Sequence, residues 1–216
     1  MRMIDNFFTT KIGSDIWQMR RPDSDTDLFR VYVATTGDIL KGTADMRSKF
    51  IQKDNTDIAL HEIGKVIDML LKGNLNFVIG VMSPIIVNAY NLKLFHELRS
   101  IVDRNKSKNC YHSIHGCAIH NYKKYIETGL DKSERRCNKI LRILRFGQKL
   151  LQEEKFVFEP VAGATPEIIE KELKKLEVAY EKSRLPEKPN EEPFREWLYN
   201  LRLYDLERNK LHIVSR

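Results

Sequence analysis

Up to about residue 104 short apolar runs and alternating stretches are interleaved with segments whose apolar residues recur every three or four positions, and beyond it the latter spacing prevails. The apolar segment ending at Ile12 reads as a strand, Gly13-Ser14 as a tight turn opening a short helix from Asp15 to Arg20, and Asp25 to Ala34 as the next strand, a βαβ-like unit. Alternate side chains of a strand share a face, so Asp25, Asp27, Phe29, Val31 and Val33 face one way and Thr26, Leu28, Arg30 and Tyr32 the other. Both faces carry large apolar groups, which predicts a central strand covered on both sides, with Arg30 in need of a polar partner. A loop at Thr36-Gly37-Asp38 and polar segments to Asn55 follow. Thr56 to His61 reads as a strand leading into a helix whose buried face is Ile63, Val66, Ile67, Leu70 and Leu71, stopped by Gly73. Asn76 to Met82 reads as a further strand, and Ser83-Pro84 as the N-cap and first residue of a helix carrying Leu94, Phe95, Leu98, Ile101 and Val102.

The basic run after Asp103 places a boundary between a unit at 1–104 and a second at 105–216. In the second unit a helix from Lys132 to Gln152 buries Ile140, Leu141, Ile143, Leu144, Phe146, Leu150 and Leu151, while Arg135, Lys139, Arg142 and Lys149 form a cationic stripe. Thr165-Pro166-Glu167 has the chemistry of N-cap, N1 and a dipole-favoured acid. The stiff Leu185-to-Pro189 turn separates that helix from a closing one, Phe194 to Leu206. The fold class expected is α/β (α+β): a small mixed sheet with flanking helices, followed by an α-helical C-terminal domain.

Composition narrows the partners. The chain has 216 residues, 42% hydrophobic and 31% charged, too apolar for a disordered chain, and its 37 Lys+Arg against 30 Asp+Glu leave a net charge of +7. A basic surface beside an acidic cluster favours polyanionic partners. Three cysteines, Cys110, Cys117 and Cys137, form no disulfide framework. The N-terminal residues lack a signal-peptide core, and the longest apolar region is broken by Ser83-Pro84 and Asn88, so a cytoplasmic protein with no membrane span is expected.

The chemistry concentrates around Gly13-Ser14 and the acidic run 23–27. Asp25 and Asp27 on one strand face repel unless a cation bridges them, and hard oxygen ligands suit Mg²⁺. Gly13 lets the backbone approach a phosphate, and the N–H groups opening the next helix would hold a triphosphate. Together these imply nucleotidyl transfer supported by a pair of metal ions. The same residues also read as a solvated turn. A calcium loop over Asp23, Asp25 and Asp27 fails because Leu28 stands where that loop needs Gly and Ala34 where it needs Glu. His115 and His120 lie within loose zinc-finger spacing, but no Cys-x-x-Cys pair accompanies them, so the segment reads as structural, with His115 a possible substrate contact.

The run GSDIWQMRRPDSDTDLFRVYV resembles the DNA polymerase β-like nucleotidyltransferase superfamily, whose signature is Gly-Ser followed after about ten residues by Asp-x-Asp. More narrowly, LHEIGKVIDMLLKGNLN, SIHGCAIHNYKK, RILRFGQKLL and SRLPEKPN resemble, in order, blocks of its RlaP branch, associated with RNA repair. Members read Gly-Ser-Arg-x-aromatic-Gly where this chain has Asp15 for the Arg and Gln18 for the second Gly; Leu75 and Ile79 stand where a later family block has Pro and Glu. The resemblance implies an enzyme moving a nucleoside monophosphate from an NTP to a hydroxyl, with Mg²⁺ or Mn²⁺ held by Asp25, Asp27 and a third carboxylate from a neighbouring strand, Asp57 or its rival Glu62. Gly13, Ser14, Lys139 and Arg142 would bind the nucleotide, with Arg142 at the Arg of a family Arg-Leu-Leu segment. The expected acceptor is an RNA 3′ end. The alternatives are AMP transfer to protein and a non-catalytic RNA- or partner-binding module.

Overall fold

The computed structural model describes residues 2–214. Five strands, β1 (Arg2–Lys11), β2 (Thr26–Ala34), β3 (Lys49–Lys53), β4 (Thr56–Glu62) and β5 (Ile86–Ala89), form one sheet in the order β3-β4-β2-β1-β5. Only the β2/β4 pair is parallel; β1/β2, β1/β5 and β3/β4 are antiparallel. The unit around Gly13-Ser14 is therefore a turn between antiparallel strands and not a βαβ crossover. Its short helix is a single 3₁₀ turn, Asp15–Trp17.

Strand β2 lies in the middle of the sheet, as its two apolar faces require. Phe29, Val31 and Val33 belong to the main core, while Tyr32 and Ala34 pack with Leu60, Ile39 and Ala44 on the other side. Arg30 finds its polar partner on the adjacent strand, donating from Nε to Thr9 Oγ1 at 3.4 Å.

Aromatic rings pack on the main-core face: Phe8 stacks on Phe95 at 4.2 Å and on Phe29 at 6.3 Å. α1 (Thr36–Leu40) packs on the sheet's other face, with Ile39 against Tyr32 and Leu60, and the chain's remaining α-helices are α2 (Ile63–Leu71), α3 (Leu75–Met82), α4 (Leu92–Arg104), α5 (Cys110–Asn121), α6 (Glu134–Glu153), α7 (Pro166–Lys182) and α8 (Glu192–Val214). One buried cluster runs from Ile4 through Ile114, Leu144 and Leu176 to Leu201, so it crosses residue 105 without a break.

Several local expectations are corrected. The segment expected as a strand from Asn76 to Met82 is α3. Its sequence is apolar all round, a pattern that fits a buried helix and a buried strand equally well. Asn74 decides, its side chain accepting from Asn76 N as an N-cap. Ser83-Pro84 opens no helix: Ser83 Oγ donates to Lys11 O at 2.6 Å, the chain enters β5, and α4 is capped by Asn91. Thr36-Gly37-Asp38 is helical, capped by Thr35, and β3, exposed along its whole length, lies inside the stretch expected to be polar loop. Thr165 caps α7 as expected, accepting from Ile168 N.

Candidate active site

A cleft of about 260 Å³ lies between the Gly13-Ser14 turn, the 21–27 segment and one face of α6, where Arg135, Asn138, Lys139 and Arg142 line it. Gly13 is at φ +68°, and a Cβ built on it would fall 1.9 Å from Asp27 Oδ2. Both facts demand glycine: an L side chain is strained at that φ, and the space it needs holds the carboxylate. The turn is pinned to β2 by Ile12 N donating to Asp27 O at 2.9 Å. Among the described hydrogen bonds, none is donated by the backbone N–H of Ser14, a residue that lines the cleft. A single 3₁₀ turn adds little helix dipole, so this N–H group, rather than a macrodipole, is what the turn offers an anion.

Asp25 immediately precedes β2 and Asp27 lies within it, both lining the cleft. Parallel register places Asp57 directly beside Asp27 on the neighbouring strand. Burial raises the Asp27 carboxyl above its ordinary value, and the charges of Asp57 and Asp25 raise it further, while Arg142 and Lys139 pull it back. Glu62 is on the opposite face from Asp57 by strand parity and is fully engaged there. It caps α2 through Gly64 N at 2.5 Å, accepts from Ala34 N at 3.2 Å and pairs with Arg202 at 2.6 Å.

Among the described residues, no three His, Cys, Asp or Glu side chains already converge into a cage for an ion. Mg²⁺ is characteristically held by one or two carboxylates plus substrate phosphates and waters. An open group of mutually repelling acids beside a polyanion cleft suits that donor set, because the cation and the phosphates would arrive together.

On the α6 wall Arg142 and Lys139 feel the charge of Asp27 across the cleft. Arg142 lies 5.5 Å over the Trp17 ring, its Nε buried with no hydrogen-bond acceptor, and burial pushes its pKa down to about 10. Burial likewise lowers Lys139, aided by Arg135, Arg136 and Arg142. Cations crowded together in a partly buried wall are stabilised by a bound polyanion. Lys149, the far end of the expected stripe, pairs instead with Glu153 at 2.7 Å and does not line the cleft. Arg21 and Asn138 line it without having been expected to. Asn138 also fixes the 163–164 loop, accepting from Ala164 N at 3.0 Å; its place one turn from Arg135 and Arg142 was the available signal.

The positions where the sequence departs from its resemblance have visible consequences. Gln18 adopts φ +54°, the left-handed region in which glycine is unstrained. Burial works against the Asp15 carboxylate, but hydrogen bonds from Arg20 and Lys11 hold it below its usual range, so its charge is neutralised at the turn. Trp17 is buried against Phe146 and Phe158 and positions Arg142. The Cys/His segment forms α5, and its Cys110 and Cys117 are free, as is Cys137 on α6; His115 stacks on Tyr111 and lies 3.6 Å from Glu177, away from the cleft. Among the described residues no helix is long and apolar enough to cross a membrane.

The family model for RlaP, described as the RNA repair pathway DNA polymerase beta family, matches residues 4–165. That span takes in the cleft from the Gly-Ser turn through α6 and stops before the SRLPEKPN block. No curated protein matches the chain.

Proposed function

Because the chain belongs to the RlaP family, the RNA repair pathway DNA polymerase beta family, we propose that it transfers a nucleoside monophosphate from an NTP to the 3′ hydroxyl of an RNA. The observation that carries this reading is one cleft in which a Gly-Ser turn and the cations of α6, Arg142 with its buried Nε unsatisfied among the described residues, face a cluster of repelling carboxylates. Gly13 and Ser14 receive the triphosphate through backbone N–H groups, and Lys139 and Arg142 offset its charge from the facing helix. Asp25, Asp27 and Asp57 hold Mg²⁺ or Mn²⁺, which when bound activates the attacking hydroxyl and stabilises the leaving pyrophosphate. Trp17 keeps the Arg142 guanidinium in the cleft, so that it need not be reorganised when substrate enters.

Ligand-linked stability tests the nucleotide site. Saturating NTP with Mg²⁺ should raise Tm by several degrees, since about 2.7 kcal/mol accrues at a hundredfold excess over Kd and about 2–4 °C follows per kcal/mol in a protein of this size. Asp25→Ala/Asp27→Ala should remove the Mg²⁺-dependent part of that shift and Arg142→Ala most of the rest. A second reading rests on Gln18 and Asp15 at the turn: a non-catalytic RNA-binding module on the same fold. It predicts no shift with any NTP alongside salt-dependent RNA binding.

A further inference from the structure

Asp27 lines two cavities, which also share Gly13 and Arg142 and differ in the rest of their walls. One is the cationic cleft. The other, about 350 Å³, lies between the sheet and the start of α3 and is walled by Phe29, Phe50, His61 and Phe77. Its size is within the ~300–1,000 Å³ typical of small-molecule sites. The His61 ring lies 4.8 Å from Phe29, 4.6 Å from Phe77 and 6.5 Å from Phe50, in a continuous aromatic lining. Burial, with Lys65 nearby, lowers the His61 pKa to about 4, so this wall is a neutral ring at physiological pH.

Two features of the lining serve no purpose within the fold. Phe50 is 82% exposed on edge strand β3, where pairing with Ala59 puts it on the Asp57 face. Asn76 lies at the rim, and its side-chain amide makes no hydrogen bond among the described residues, which leaves both a donor and an acceptor free. An exposed aromatic face beside an unused amide edge is suited to a flat heterocycle: stacking on the ring plane, hydrogen bonding at the edge.

The position of the cavity selects which heterocycle. In-line phosphoryl transfer puts the leaving and attacking oxygens on opposite sides of the reacting phosphorus. With the triphosphate among Gly13, Ser14, Lys139 and Arg142, the hydroxyl must reach Asp27 from another direction, and the part of the aromatic cavity that the cleft does not share, Phe50 of β3 with Ala59 and His61 of β4, offers one. We infer that this cavity binds the base of the acceptor's 3′-terminal nucleotide, stacked on Phe50 with its edge toward Asn76. The inference rests on the transferase reading above and gives it an acceptor subsite.

The test uses a short single-stranded RNA ending in 2-aminopurine, whose fluorescence falls when it stacks. Wild-type protein should quench it. Phe50→Ala, which removes an exposed side chain and no core packing, should bind this RNA roughly ten-fold or more weakly, the range for loss of one base–aromatic stack. The same substitution should not weaken binding of an RNA with an abasic 3′ end, and the NTP-Mg²⁺ stabilisation should be unchanged. Asn76→Ala should alter preference among terminal bases. Quenching that survives Phe50→Ala, or equal loss on intact and abasic ends, overturns the subsite. The binding readout does not need turnover: Phe50-dependent quenching without transfer of label refutes the transferase and keeps the subsite. Label entering RNA with the same KM for wild type and Phe50→Ala refutes the subsite and keeps the transferase. Label entering protein, with no quenching, overturns both.

Discussion

Asp27 is opposed by its burial and by the charges of Asp57 and Asp25, so in the free protein its ionisation works against folding. Its folded pKa lies above the ordinary value, and the folded state holds the proton more tightly than the unfolded chain does. The resulting penalty is absent below pH 3.8 and develops as pH rises through the raised folded pKa. Asp27→Asn should therefore stabilise the metal-free protein at neutral pH by about 0.5–2 kcal/mol, the usual gain from relieving charge strain at a functional site, while abolishing transfer. The gain should vanish in acid; urea unfolding across pH measures it. The two rival third carboxylates separate by the same kind of measurement. Glu62→Ala leaves Arg202 without its buried partner and should cost about 3–5 kcal/mol, since Glu62 is wholly buried and holds α8 to the end of the sheet. Asp57→Ala should cost less than about 1 kcal/mol and remove activity. If unfolding midpoints put the larger loss on Asp57, the assignment of roles is reversed.

At the scale of elements, the sheet face that carries the acids is held by α3, the element the sequence pattern misassigned. Gly80 on α3 has no room for a side chain: a Cβ there would lie 2.5 Å from the Phe29 ring, two residues along β2 from Asp27. Its carbonyl also accepts from Thr10 Oγ1 at 2.6 Å, which ties the helix to β1. Gly80→Ala should cost about 1–3 kcal/mol through overpacking and lower kcat by shifting β2, with thermal unfolding and initial rates as the readouts. The amphipathic helices were legible because Ile63 to Leu71 and Ile140 to Leu151 carry a one-sided apolar face. α3 was not, since Leu75 to Met82 is apolar on every side and only its Asn74 cap marks it as a helix. β3 was hidden for the opposite reason: its pairing with β4 is made by the backbone, and its side chains are all exposed.

Across the whole molecule, the cleft joins residues more than a hundred positions apart, and this is the part the sequence conveyed unevenly. Gly13, Ser14, Asp25 and Asp27 were readable from local spacing, and Lys139 and Arg142 from a helical stripe together with a family resemblance. The stripe gave no sign that Lys149 would turn to Glu153, because spacing along a helix does not say where the opposing wall ends. The Asp27–Asp57 adjacency depends on a parallel register that no local pattern encodes. The aromatic cavity is assembled from β2, β3, β4, α3 and α6, and so becomes visible only once they are packed. One continuous buried core underlies both the sheet that carries the acids and α6, which carries the cations. The central claim is that this cleft moves a nucleotide onto RNA. The most direct measurement incubates wild-type protein, and separately the Asp25→Ala/Asp27→Ala variant, with each α-labelled NTP, Mg²⁺ or Mn²⁺, total RNA and cell protein. The account predicts label in the ribonuclease-sensitive fraction for wild type and none for the variant; label that survives ribonuclease, or that the variant still transfers, contradicts it.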